Sequence, residues 1–219
     1  FMALGGHLGD LFGKPKMFFI GVVGFGISSC LCGFAWNGSS LIFFRVVQGL
    51  FAVIMQPASS AIVIGSFAPE DRGKAMAVYA GIPLLFLTAG PVLGGVITEY
   101  ASWRYCFLIN VPIALIVSIA VVILRPSNPG RRGSRFDWWG AALLGTGLPC
   151  LIIPIQQSSI WGWESPWTLG LIILGLVILT GFIWRELKVE EPIVSLRLFA
   201  DKVFLGDSIL LFITQASVT

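Results

Sequence analysis

Residues 81–95 read GIPLLFLTAGPVLGG. The stretch carries no charge, yet it holds four glycines and two prolines, the residues that weaken and kink a helix most. In water such a segment makes a poor helix. In a bilayer it is tolerated, because neighbouring helices and bound water satisfy the backbone groups that proline frees, and small residues let two helices approach closely. The reading is a kinked membrane helix packed against others.

Composition extends this reading to the whole chain. Hydrophobic residues make up 56% and charged residues 11%, against about 25% charged in ordinary globular domains, and the mean hydropathy is +0.90. The chain reads as an all-α polytopic membrane protein. At about 20 apolar residues per span it has room for roughly eight crossings with short loops, and none for a further soluble domain. A net charge of +3 gives no support to nucleic-acid binding. Cys30, Cys32, Cys106 and Cys150 all lie in apolar runs and read as small buried hydrophobes rather than a disulfide framework. The sequence holds no G-x-x-x-x-G-K-S/T loop, no H-E-x-x-H, no G-x-S-x-G and a single histidine, so neither ATP hydrolysis nor another enzymatic activity is expected.

In order, the chain opens inside a helix without an initiator methionine. A charged loop at 10–16 leads to an apolar run at 17–36, a polar turn at 37–40 and a second run at 41–66. After a loop at 69–74 comes the helix built on 81–95, ending near Thr98, and then a run at 105–124. A hydrophilic segment at 125–137 precedes runs at 138–157 and 167–184, with Trp161, Trp163 and Trp167 around the turn between them, as in an aromatic belt. Residues 185–202 are charged and amphipathic, and 203–219 begin a further span. About six full spans and two partial ones are expected, in a fragment cut at both ends.

Orientation comes from the basic residues. One set of alternate loops holds Lys14, Lys16, Arg72, Lys74, Arg125, Arg131, Arg132, Arg135, Arg185, Lys188, Arg197 and Lys202, whereas the other holds Arg104 alone. Basic loops stay in the cytoplasm, so the first set is expected there and the tryptophan-rich turn outside.

Several stretches resemble the major facilitator superfamily. Gly6-His7-Leu8-Gly9-Asp10-Leu11-Phe12-Gly13-Lys14 is similar to that family's loop between helices two and three, G-x-L-A/G-D-x-x-G-R/K. Leu41, Arg45, Gln48 and Gly49 match its fourth-helix pattern, L-x-x-x-R-x-x-Q-G, and Gly81, Gly90, Pro91, Gly94 and Gly95 its fifth-helix antiporter motif, G-x8-G-P-x-x-G-G. Residues 69–75, 103–112 and 136–140 look like the fourteen-helix drug/proton antiporter branch. Three positions depart from the pattern: Leu11 stands where the family has arginine, Pro15 interrupts the basic cluster, and Phe51 stands where the family has a small residue. The resemblance implies an incomplete helical bundle running from helix two to helix nine. Residues 1–124 would be the N-terminal half without its first helix, 125–137 a cytoplasmic linker, 138–184 two extra central helices, 185–202 a cytoplasmic amphipathic segment, and 203–219 the start of the C-terminal half.

The candidate site starts at Arg45. A charge at bilayer depth costs about 2.5–3.5 kcal/mol on insertion scales, so it rarely faces lipid. Arg45, Gln48, Gly49, Ala52, Gln56 and Ser59 share one helical face, which makes a polar stripe within the membrane. It is read either as a structural hydrogen bond between helices or as a cavity lining that couples protons to substrate. The resemblance implies that Arg45 tunes a carboxylate on helix one. Asp10 either pairs with a basic residue or caps a neighbouring helix, while Gly6, Gly9 and Gly13 permit a tight turn; by resemblance Gly6, Asp10, Gly13 and Lys14 form a gate that holds the cytoplasmic side shut. Gly90 with Gly94, and Pro91 with Gly95, are small or kinking pairs four apart that suit close helix contact, and by resemblance they mark export. Asp207 is a further candidate for the cavity, or an interfacial acid near a helix N-terminus.

The function expected from these residues and this resemblance is secondary transport: proton-coupled efflux (antiport) of amphiphilic small molecules by alternating access, with an uptake symporter or a non-transporting remnant as alternatives. Its partners would be the substrate, protons and the lipid bilayer. The proton gradient would supply the energy with no cofactor or metal, and the protein would be a monomer in the cell membrane.

Overall fold

The computed structural model describes residues 2–124, 137–189, 205 and 206, with side chains from residue 5. Every regular element among them is a helix. In chain order these are α1 (Met2–Phe12), α2 (Lys14–Gly33), α3 (Gly38–Ser66), α4 (Arg72–Tyr100), α5 (Tyr105–Leu108), α6 (Asn110–Leu124), α7 (Trp138–Trp161) and α8 (Pro166–Glu186). Taking α5 and α6 as one segment, six helical segments are long and apolar enough to cross a membrane. Residues 203 and 204 and the candidate Asp207 lie outside the described residues, as do most of the 125–137 linker and of the 185–202 segment.

The chain divides into two compact units, Phe1–Ser134 and Arg135–Thr219. In the first, α2 packs along α3, with α1 against α3 and α6 against α2. Glycine makes these contacts possible. A Cβ on Gly21 would sit 2.8 Å from that of Met55, one on Gly26 would sit 2.7 Å from that of Ala114, and one on Gly24 would overlap the Phe51 ring. Phe51, one of the residues that depart from the family pattern, thus fills the notch that Gly24 leaves.

The structure differs from the sequence expectations in three places. The expected loop at 10–16 shrinks to Gly13, because Pro15 sits in the first turn of α2 and starts that helix at once. Gly13 turns the chain there with φ 92, a conformation that side-chain-bearing residues rarely adopt. The run at 105–124 is broken at Ile109 into α5 and α6, since Pro112 has no N–H to donate to the Leu108 carbonyl. Next to the break, Ser29 donates to the Phe107 carbonyl (2.9 Å) and Asn110 Nδ2 to Ser29 Oγ (3.1 Å).

The third difference concerns α4, where close packing through the glycines is expected. It is one continuous helix with Pro83 and Pro91 inside it, and none of its residues is buried. A Cβ at Gly81, Gly90, Gly94 or Gly95 would meet nothing within 4 Å. The side-chain positions of the motif's glycines are therefore open among the described residues, and the nearest approach is that of Cys106 Sγ of α5 to the Gly94 carbonyl at 3.9 Å. Side chains such as Leu85 and Phe86 stand 72% and 68% exposed, which in water would be untenable and in lipid is ordinary.

In the second unit α7 and α8 form an antiparallel hairpin, notched by Gly147 against Leu179 and Gly175 against Leu151. The turn runs through Gly162 (φ 81), and Thr168 Oγ1 ties it by donating to the Gly162 carbonyl at 2.9 Å. Trp161, Trp163 and Trp167 flank this end. At the other end Asp137 caps α7 by accepting from the Gly140 N–H (3.0 Å) and receives Arg185 of α8 through Nε (3.0 Å) and Nη2 (2.8 Å). Burial pushes the Asp137 carboxyl up, but the Arg185 hydrogen bonds, the Gly140 N–H and the Arg185 charge outweigh it and hold the group below the usual carboxylate range.

Candidate functional site

The polar stripe of α3 divides into two clusters. In the first, Arg45 Nη1 donates to Gln48 Oε1 at 3.0 Å, and the guanidinium lies 5.3 Å from the centroid of the Phe107 ring. The spacing of one helical turn brings the two side chains together. Gln48 is 2% exposed, and its Oε1 also faces Cys32 Sγ at 3.9 Å. Its Nε2, by contrast, is buried with no hydrogen-bond partner, a condition that costs about 1–3 kcal/mol when left so. Arg45 itself is exposed.

The second cluster lies about 12 Å further along α3, eight residues at 1.5 Å each. Ser59 Oγ donates to the Gln56 carbonyl (2.8 Å) and shares a 2.6 Å hydrogen bond with the Tyr79 hydroxyl of α4. Gln56, Ser59 and Tyr79 border a cleft of ≈ 430 Å³ that reaches across to Phe18 and Phe25 of α2 and Asn110 of α6. Between the two clusters Gly49 and Ala52 offer only backbone and methyl surface, so the stripe is interrupted there and each cluster has its own neighbours.

At the start of the chain, Lys14 Nζ and Asp10 Oδ1 lie 3.5 Å apart across the Gly13 turn. Asp10 is 57% exposed, so this is a surface pair worth about 0–1 kcal/mol. Pairing with a basic residue is the first of the two roles the sequence allows it. Gly6 faces Pro57 of α3 at ordinary contact distance, 3.8 Å from a would-be Cβ to Pro57 Cβ. The tighter contact belongs to Gly5, which lies just outside the motif. A Cβ there would overlap the Val53 carbonyl oxygen, the group that Pro57 leaves without a helical donor. Proline four residues after Val53 is the signal in the sequence that could have found it. The structure brings Asp10, Gly13 and Lys14 together at the C-terminal end of α1, leaves Gly6 in the middle of that helix against Pro57, and pairs Arg45 with Gln48 on α3; among the described residues it does not join the Asp10 and Arg45 groups to Gln56 or to the α4 motif.

Among the described residues, six apolar helical segments, a polar stripe on one of them and charges confined largely to helix ends define a multi-pass membrane protein. The major facilitator superfamily profile matches residues 1–218, and the chain belongs to that family. It is 33% identical over 195 residues to the tetracenomycin C resistance and export protein of Streptomyces glaucescens, covering 89% of this chain and 36% of that protein. It is 33% identical over 213 residues to multidrug resistance protein 3 of Bacillus subtilis (97% and 42%), and 32% over 215 residues to the puromycin resistance protein of Streptomyces alboniger (98% and 42%). The chain therefore spans about two-fifths of the length of these relatives.

Proposed function

We propose that this chain works in a secondary transporter that exports amphiphilic small molecules in exchange for protons, by alternating access in the cell membrane with its basic loops on the cytoplasmic side. The observation that carries the reading is the Arg45–Gln48 pair. A permanent cation sits on a helix long enough to span the bilayer, and beside it a buried amide donor lacks an acceptor. Such groups are expensive in lipid and are kept where they serve a polar pathway. The names of the relatives, resistance and export proteins, support efflux over uptake. Protons supply the energy, no cofactor is required, and the transporter acts as a monomer.

Asp10 and Lys14 then form the cytoplasmic gate, whose single-residue turn at Gly13 lets a small movement of α1 be felt at α2. The α4 motif supplies the face that closes against another helix. The test is transport in proteoliposomes containing the chain within its full-length protein, under an imposed proton gradient. Arg45→Ala should abolish proton-driven efflux while leaving insertion and the helical content unchanged. Gradient-driven efflux at the wild-type rate in Arg45→Ala overturns the proposal, and uptake in place of efflux selects the symporter.

A further inference from the structure

The cleft bounded by α2, α3, α4 and α6 has a chemistry that the Arg45 cluster does not share. Its walls are apolar and aromatic, with Phe18, Phe25 and Met55 prominent, and its polar groups are Gln56, the Ser59–Tyr79 hydroxyl pair and Asn110. At ≈ 430 Å³ it falls within the roughly 300–1,000 Å³ of small-molecule sites. Among the described residues, no carboxylate and no basic group lines it.

Donors and acceptors can be assigned from the hydrogen bonds. If Ser59 Oγ gives its proton to the Gln56 carbonyl, the 2.6 Å bond is donated by Tyr79, and both hydroxyl protons are spent. Tyr79 then offers only lone pairs to the cleft. The Gln56 side-chain amide makes no hydrogen bond among the described residues, so it presents both a donor and an acceptor. Asn110 Nδ2 is committed to Ser29 Oγ and to the Cys106 carbonyl, which leaves its Oδ1 as a further acceptor. A lipophilic cation would find acceptor lone pairs and aromatic faces here but, among the described residues, no carboxylate to offset its charge. An uncharged molecule with an apolar body and a hydroxyl or amide end meets every group the cleft presents.

We infer that this cleft binds an uncharged amphiphile, with its polar end held by Gln56 and Tyr79 and its apolar body against Phe18 and Phe25. This names the substrate class for the transport reading above and rests on it only for the word substrate; binding itself does not require it. Access is provided at α4, which has no buried residue and is tied to α3 through Tyr79 and to α5 through the weak contacts of Cys106 Sγ with Thr98 and the Gly94 carbonyl. An element held by so few contacts opens at low free energy.

The test uses the chain within its full-length protein in phosphatidylcholine nanodiscs and a monoacylglycerol carrying a diazirine in its acyl chain, with the cross-linked residues mapped by mass spectrometry. Labelling should saturate and concentrate on α3, α4 and α6 around the cleft. Unlabelled monoacylglycerol should compete for it, and tetraphenylphosphonium should not. Ala52→Trp, which fills the cleft, should abolish saturable labelling, and Gln56→Leu should weaken apparent affinity about fivefold, the loss of one hydrogen bond. Val122→Trp on the exposed side of α6 should leave it unchanged, which separates occlusion from a general packing defect. Labelling that does not saturate, that survives both Ala52→Trp and Gln56→Leu, or that tetraphenylphosphonium displaces equally well overturns the inference. If labelling behaves as expected while Arg45→Ala retains efflux, the binding site stands and the coupling reading falls; the reverse pattern removes the site alone.

Discussion

Removing the Asp137 carboxylate should loosen the α7–α8 hairpin by an amount that the structure lets us apportion. Asp137→Ala loses an N-cap, about 1 kcal/mol, together with charge-assisted hydrogen bonds that are each worth about 1.5–3 kcal/mol when buried. Arg185 is 35% exposed and regains water when released, so the bidentate pair is counted once and at the lower end of that range, and the total should be about 2–3 kcal/mol. Asp137→Asn keeps a capping oxygen and should lose about 1–2 kcal/mol. Arg185→Ala strands a carboxylate that is 2% exposed and should be the most damaging of the three. The pH dependence has a definite sign. Because the folded-state pKa lies below its ordinary value, the Asp137 contribution is present above about pH 4 and disappears as pH falls through the lowered value. Reversible unfolding in mixed micelles, at neutral pH and along an acid series, measures all of this. Unfolding free energies of Asp137→Ala and Asp137→Asn within about 0.5 kcal/mol of wild type would refute the reasoning.

Three further outcomes are expected. Gly13→Ala forces a side chain into the positive-φ turn between α1 and α2 and should destabilise by about 1–2 kcal/mol, read in the same micelle titration. Gly24→Ala drives a methyl into the Phe51 ring and should cost about 1–3 kcal/mol, most of which Phe51→Leu restores in the double variant; equal stabilities for the two Gly24→Ala proteins would dismiss the notch. Gly90→Leu faces open space in this structure, so helical content and stability should match wild type while proton-driven efflux in proteoliposomes is lost; unimpaired efflux removes Gly90 from the closing surface.

The helices are legible in the sequence because apolar length is a long, additive signal, and each of the six spanning segments announces itself by composition. Helix ends are harder. Charge alone suggests a loop at 10–16, whereas Pro15 and Gly13 decide the path of the chain, two residues whose backbone preferences outweigh the polarity around them. The Arg45–Gln48 pair is a matter of helical spacing. The Tyr79 link to Ser59 is not, since the partners are twenty residues apart and no local period connects them. Likewise Gly5 looks like one more glycine in an opening run, and only the position of the Val53 carbonyl shows why a larger residue would not fit. In α4 the glycine pattern suggests packing, yet no described residue comes within 4 Å of where those glycines would carry a Cβ, so sequence periodicity identifies a face without identifying the surface that meets it.

That open face on α4 has a thermodynamic consequence. Gly90 and Gly94 have no rotamers to lose, so a helix that settles along them surrenders only its own side-chain freedom. Contact made on bare backbone can be tight in distance and still inexpensive to undo, a property suited to a seam that is remade many times rather than one sealed once.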